Sequence, residues 1–246
     1  MLDVSLSGFR YGKFIFDEFN FKKIQSLKDN FDCLHIVCYE RGPSLTGFEM
    51  QEKQDAIISL KQGLGDIFKS FNSTTRNEIR KTQNIEGLSF VREDENMEEA
   101  YNLSKEFDLI RGWAPEPKEQ FGKTKLFSAY FDGQTISGIT CYDDNNFLRI
   151  EKIFSRRLEN EKNIKNAIVG YATRRLVYEI CEYAKEKGYV HFDLGGISIK
   201  EKNKMGIAKF KMCFGAKIKD VGLYKYETTG FTCFRDECRK NEIDIA

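Results

Sequence analysis

Residues 191–218 read HFDLGGISIKEKNKMGIAKFKMCFGAKI and combine group types that reaction chemistry uses. His191 and Asp193 stand two apart in an apparent strand, so both side chains leave the same face, opposite Phe192 and Leu194. A carboxylate or imidazole held at an amine can take its proton. Gly195 and Gly196 follow, and a chain without Cβ atoms lets a ligand approach the backbone. Behind a polar loop, Lys211 brings positive charge back to the same neighbourhood. The pattern fits a site that holds an anionic substrate over a strand end. The plainer reading is a strand, loop and helix in which Asp193 orders the glycines, His191 packs and Lys211 is solvated.

Other residues carry similar double readings. Glu151, on an earlier strand, is a second candidate base, or an ion-pair partner of Arg149 or Lys152. Arg76 and Arg80 are four apart and share a helix face, a spacing that suits a pyrophosphate or plain surface ion pairs. Trp113, the sole tryptophan, follows Arg111 in a loop, where it stacks on a nucleobase or anchors the loop. Cys213 is an acyl-accepting thiol in principle and a buried thiol on the simpler reading.

The elements that must position these groups follow from periodicity. FDCLHIVCYE and DAIISL read as strands, with Cys33 and Cys38 pointing to opposite faces. One helix is expected from about Leu64, carrying Ile67, Phe68, Phe71 and Ile79. GLSFVRE is a short strand, and the acidic EDENMEE suits the start of a helix bearing Ala100, Leu103, Phe107 and Ile110. RGWAPEP is a loop. LFSAYFDGQTISGITCYDD reads as a hairpin about Asp132-Gly133, and FLRIEKIFS as the next strand. A long helix repeats Ile168, Ala172, Leu176, Ile180 and Ala184, then stops at Gly188. YVHFDLGG is a strand, and a pair of short strands is expected over AKIKDVGLYKYET. The sequence shows no internal repeat. The order implies a mixed α/β sheet with helices packed on it, and ligands favour the carboxyl ends of such strands.

Composition narrows the class. The 246 residues carry a formal net charge of +1, with 41% hydrophobic and 31% charged residues and 21 phenylalanines. That balance argues against a polyanion-binding surface over the whole protein. With three prolines and no linker-like tract, the chain reads as one compact unit. No signal-peptide pattern or membrane-length apolar run occurs, and the seven cysteines are odd in number and irregularly spaced. A cytoplasmic protein with free thiols is expected, without a membrane or nucleic-acid polymer as partner. Two histidines and no C-x-x-C pair give no zinc site, so no metal is expected.

FDLGGI followed by GIAKFKMCFGA resembles the F-D-x-G-G-I … G-I-x-x-F-K-x-x-F-G-A signature of the Fem-like transferases and their shorter GNAT relatives. TTRNEIRKTQ, residues 74–83, resembles their R-x-x-I-R-K segment. Together these likenesses span most of residues 55–225. The resemblance implies a mixed, mostly antiparallel GNAT-like sheet with helices on both faces. Residues 1–112 would lie on the acceptor side, and residues 113–246 would form the acyl-coenzyme A core. It implies direct transfer of a short acyl group from acyl-coenzyme A to the amine of a nucleotide-linked amino sugar, in surface-polysaccharide (O-antigen) assembly.

Site residues follow from the same likeness. Coenzyme A pyrophosphate would meet the start of the long helix near Gly170 and Ala172. That segment keeps Gly-x-Ala and lacks the usual Gln/Arg, for which Lys162 or Lys165 would compensate. Backbone around Ile153, Phe154 and Ser155 would meet the oxyanion. Asp193, Glu151, His191 and Lys211 would serve catalysis. Arg76, Arg80, Trp113, Gly195 and Gly196 would hold the acceptor. The alternatives are a Fem-like ligase moving an aminoacyl group from transfer RNA to a peptidoglycan precursor, or a non-catalytic ligand-binding module. The acyl chain, the sugar and its amine position stay open, as does a homo-oligomer.

Overall fold

The first sixteen residues alternate apolar and polar side chains and form β1 (Leu2–Leu6) and β2 (Phe9–Phe16), joined at Ser7-Gly8. Both turn residues have positive φ, at 49° and 86°, as a tight hairpin turn requires. The computed structural model describes residues 1–156, 164–198 and 205–240. A short helix α1 (Phe21–Leu27), capped by Asn20, leads to β3 (Cys33–Cys38), which runs parallel to β2. Next come β4 (Glu49–Ser59), α2 (Leu64–Ser70), α3 (Ser73–Lys81), β5 (Leu88–Arg92), α4 (Met97–Ile110) and α5 (Lys118–Phe121). The remainder is β6 (Lys125–Phe131), β7 (Gln134–Asp144), β8 (Phe147–Ser155), α6 (Ile164–Glu186), β9 (His191–Gly196), α7 (Met205–Met212), β10 (Lys217–Glu227) and α8 (Thr229–Lys240).

All ten strands join one sheet in the order β1-β2-β3-β10-β4-β9-β8-β7-β6-β5. Among the described residues, only β2–β3 and β8–β9 pair in parallel. The expected mixed, mostly antiparallel α/β architecture is therefore present, with helices on both faces. On one face α2, α3, α6 and α7 bury Ile67, Ile79, Leu176 and Ala208 against Phe127, Leu148 and Phe192. On the other, α4 and α5 bury Leu103, Phe107 and Phe121 against Phe154. Each fully buried side chain of this size stabilises the fold by roughly 1.5–3 kcal/mol. Among the described residues, no helix is long and apolar enough to cross a membrane.

The topology contains a repeat that the sequence hides. β1-β2-α1-β3 and β7-β8-α6-β9 are each a hairpin, a crossover helix and a parallel strand. The two units flank a central antiparallel pair, β10–β4. β4 of the first half borders β9 of the second, and β10 of the second borders β3 of the first. The halves have thus exchanged strands. The sheet also curls. Ile15 N–H on β2 donates to Asp144 of the β7–β8 hairpin at 3.0 Å, and Lys13 pairs with Glu151 on β8.

Two expectations need correction. The helix from Leu64 is two helices, because Asn72 accepts from Thr75 N–H at 2.8 Å and caps a new one. The expected pair of short strands is the single β10. Its Gly222 sits beneath the Tyr224 ring, 3.0 Å from where a Cβ would lie, so it marks a close approach and not a turn.

Candidate functional site

β8 and β9 begin as parallel neighbours but stay paired for only three residues, Phe147↔His191, Leu148↔Phe192 and Arg149↔Asp193. The equivalent β2–β3 pair stays together for six, Tyr11↔Cys33 through Phe16↔Cys38. A bulge in β8 helps to part the strands. Thr140 of β7 faces Lys152 while Cys141 faces Ile150, which leaves Glu151 as the extra residue. Among the described residues, β8 beyond Arg149 is paired only with β7, so alternate backbone N–H groups point into the gap.

The gap is a cavity of about 550 Å³ that passes through the sheet. Thr173 of α6 and Phe210 of α7 line it from one side, and Lys13, His35 and Leu223 from the other. A second cavity of about 720 Å³ adjoins it, sharing Arg149 and Gly196 and adding Arg41, Lys53 and Asp55.

A buried ionic cluster forms the narrow end of the gap. Arg149 Nη1 donates to Asp55 at 2.5 Å and also to Asp193, and the Tyr39 hydroxyl donates to the same Asp193 oxygen. The other oxygen, Oδ1, accepts from Gly195 N–H at 2.7 Å. Burial, against the pull of Arg149, holds the Asp55 carboxyl above its usual range. Gly195 has φ +80°, and a Cβ there would stand 3.4 Å from Lys211 Nζ. Lys211 in turn donates to Gly196 O at 2.7 Å, and burial together with Arg149 lowers its ammonium to about 8.

Glu151 lines the opposite wall, paired with Lys13 and accepting from Gln120 at 3.2 Å. The next residue, Lys152, pairs with Asp108 of α4. Trp113 is half exposed at the mouth, with the Arg111 guanidinium 5.0 Å from its ring centre.

Of the residues singled out from sequence, Glu151, Ile153, Ser155, Gly195, Gly196, Lys211 and Trp113 come together in this cavity. Others do not. Asp193 has no accessible surface and its oxygens already hold three donors, so it cannot meet an amine. His191 lies at the far end of β9, stacked on Phe147 at 4.7 Å between ring centres. Phe154 points to the opposite face and covers Gly138.

The expected pyrophosphate position also fails. α6 is helical from Ile164, so Gly170 lies inside the helix, where its N–H is not free, and Ala172 is core. Lys162 lies outside the described residues, as does the side chain of Lys165. Arg76 donates to the carbonyls of Lys69, at 2.9 Å, and Phe71, capping α2. Arg80 lies over the Phe68 ring at 5.3 Å. Cys213 is a half-buried thiol donating to Phe210 O at 2.8 Å, and burial raises it.

Asp55, Tyr39, Lys13, Gln120 and Glu116 were not anticipated. Asp55, a charge opening the apolar run DAIISL, was the one available signal. Cys33, His35 and Glu227 bring donor atoms within 4.8 Å of one another, a grouping able to hold a metal ion. Lys225, at 2.8 Å, and Arg235 already neutralise Glu227, and burial pushes the Cys33 thiol up to about 12. A metal would have to displace both cations.

No family model matches the chain, and no curated protein matches its sequence. Solved structures do match. FemX superposes with a TM-score of 0.61 at 13% identity, over 90% of this chain and 81% of that one. L-PGS from Bacillus licheniformis gives 0.52 at 14% identity, over 84% of this chain and 71% of that one. The C-terminal domain of a putative lysylphosphatidylglycerol synthetase from Agrobacterium fabrum gives 0.54 at 14%, over 96% and 83%. The chain therefore shares the fold of FemX and of these two synthetase structures, as its Fem-like motifs led one to expect.

Proposed function

We propose that the chain is an N-acyltransferase that moves a short acyl group from an activated donor to a primary amine. The gap between β8 and β9 carries this reading, because it joins the α6/α7 side of the sheet to the face holding Glu151. A donor lying along the open edge of β8 would present its carbonyl to unpaired N–H groups, which stabilise a developing oxyanion. Glu151 takes a proton from the amine, directly or through one water. Lys211, on the other wall, returns a proton to the leaving group. Arg149, Asp55 and Asp193 hold the two strand ends in place.

Acyl-coenzyme A is the favoured donor. Its extended, amide-bearing arm suits a strand edge, and when bound it supplies the acyl group as a thioester. Trp113 and Arg111 at the mouth suit a nucleotide-linked amino sugar as acceptor, whereas Arg76 and Arg80 no longer serve that role. The similarity to FemX favours a second reading, transfer of an aminoacyl group from transfer RNA to a peptidoglycan precursor.

Mass spectrometry of the amine separates the two. The protein is incubated with acetyl-coenzyme A and a panel of nucleotide amino sugars, and separately with charged transfer RNA and a peptidoglycan precursor. An acylated sugar supports the first reading and an aminoacylated precursor the second. No product from either, with folded protein, removes the transferase reading. With the active pair, Glu151→Gln should lower turnover by about two orders of magnitude or more.

A further inference from the structure

Gln120 lies between two carboxyl groups. Its Nε2 donates to Glu116 Oε1 at 2.8 Å and to Glu151 Oε1 at 3.2 Å. Glu151 projects from the β8 bulge into the cavity wall and also holds Lys13. Gln120 itself is buried at 7% exposure, so the bridge is shielded from water. Two carboxylates this close cannot both ionise without cost; the ammonium of Lys13 pairs with Glu151, and that of Lys152 is already paired with Asp108.

We propose that Glu116 and Glu151, bridged by Gln120, form one carboxyl pair that holds a single proton, on Glu116, and that the charge state of Glu116 governs proton transfer from the acceptor amine to Glu151. The purpose of the pair rests on the transferase reading; its existence does not. Glu116 is a positioning residue, since it does not line the cavity and acts through Glu151. Lys13 contacts Glu151 directly, so Glu151 is the ionised member and Glu116 keeps the proton. Burial, and then the charge of Glu151, raises Glu116 to about 7.

Several groups face Glu116 from the elements around it. Lys13 of β2 and Lys152 of β8 favour its ionisation, as does Gln120 of α5. Glu151 of β8 opposes it, and Tyr11 of β2 lies within the same field. Tyr101 of α4 donates to the Glu116 backbone carbonyl at 3.2 Å. As pH rises through the Glu116 transition, its new charge strengthens Glu151 as a base. A proton then passes from the bound ammonium to the Glu151 carboxylate. The freed nitrogen lone pair forms the bond to the acyl carbon, and the bond from that carbon to the leaving group breaks. The second nitrogen proton ends on the leaving group.

A ¹³C NMR titration of side-chain carboxyls in the intact chain tests the pair without any substrate. One glutamate should titrate near the upper value given above and vanish in Glu116→Gln. Glu151→Gln should bring that titration down by roughly a unit or more, because the like charge is gone. A Glu116 transition unmoved by Glu151→Gln, or lying in the ordinary glutamate range from the start, overturns the pair and leaves the transferase reading standing. Should Glu116→Gln not fold, the shift in Glu151→Gln still decides. With acetyl-coenzyme A and an accepted amine, Glu116→Gln should flatten the rise of kcat/KM between about pH 6 and 8. The KM for acetyl-coenzyme A should stay the same. A wild-type pH profile in that variant also overturns the proposal.

Discussion

Arg149 and Asp193 are the last parallel pair between β8 and β9, and their side chains form an ion pair where the strands part. Arg149 keeps Asp55 as a partner, but an amide at 193 offers one acceptor oxygen where the carboxylate holds three buried donors. Asp193→Asn should therefore cost about 1.5–3 kcal/mol of stability. Urea unfolding checks this. A stable variant with turnover down a hundredfold would instead return Asp193 to the role of base.

Arg76 and Arg80 should behave differently from each other. Arg76 holds two carbonyls at the end of α2, so Arg76→Ala should destabilise by about 1.5–3 kcal/mol. Arg80 is exposed, so Arg80→Ala should stay within about 0.5 kcal/mol. Denaturation curves measure both. A selective rise in KM for a nucleotide sugar would contradict the placement described for them.

Gly170 lies inside α6, where a new Cβ would meet only the flexible end of Arg174 at 3.4 Å. Gly170→Ala should raise stability by about 0.5–1 kcal/mol, because alanine restricts the unfolded chain and favours helix. Calorimetric titration should show coenzyme A binding unchanged in the same variant. Weaker binding would put the donor back against that turn.

His35 gives a pH test. Burial, then Lys13 and Lys225, lowers its imidazole from 6.5 to about 4. Between those values the unfolded chain takes up a proton that the native chain refuses. Stability is therefore untouched above the upper value and falls as pH drops toward the lower one, by about 3 kcal/mol in full. In His35→Gln this part of the acid dependence should vanish. Parallel unfolding curves at several pH values would show it, and identical slopes for both proteins would refute it.

The elements most legible in the sequence were those whose periodicity is local. The spacing of Ile168 through Ala184 gave α6, and the Asp132-Gly133 turn gave the β6–β7 hairpin. The Ser7-Gly8 turn joining β1 and β2 is equally local. Strand parity put His191 and Asp193 on one face but carried no information on what covers them. Tyr39 reaches Asp193 from 154 residues away, and Arg149 reaches Asp55 from 94. The Glu151 bulge depends on register against β7, which no single strand encodes. Motif likeness located the gap; only long-range pairing shows which carboxylate faces it.

The exchange of β4 and β10 between the halves has a consequence for synthesis. Strand β3 is made long before its neighbour β10, because Cys38 pairs with Gly222 much further along the chain. Neither half can close its part of the sheet until the strands of the other half have been made. Nascent β3 carries an unprotected edge for most of that time, with Leu34, Ile36 and Cys38 uncovered, and such edges recruit other strands. A truncation before Lys217 should leave that edge permanently open and yield aggregate, even though every residue lining the gap between β8 and β9 except Leu223 would still be present.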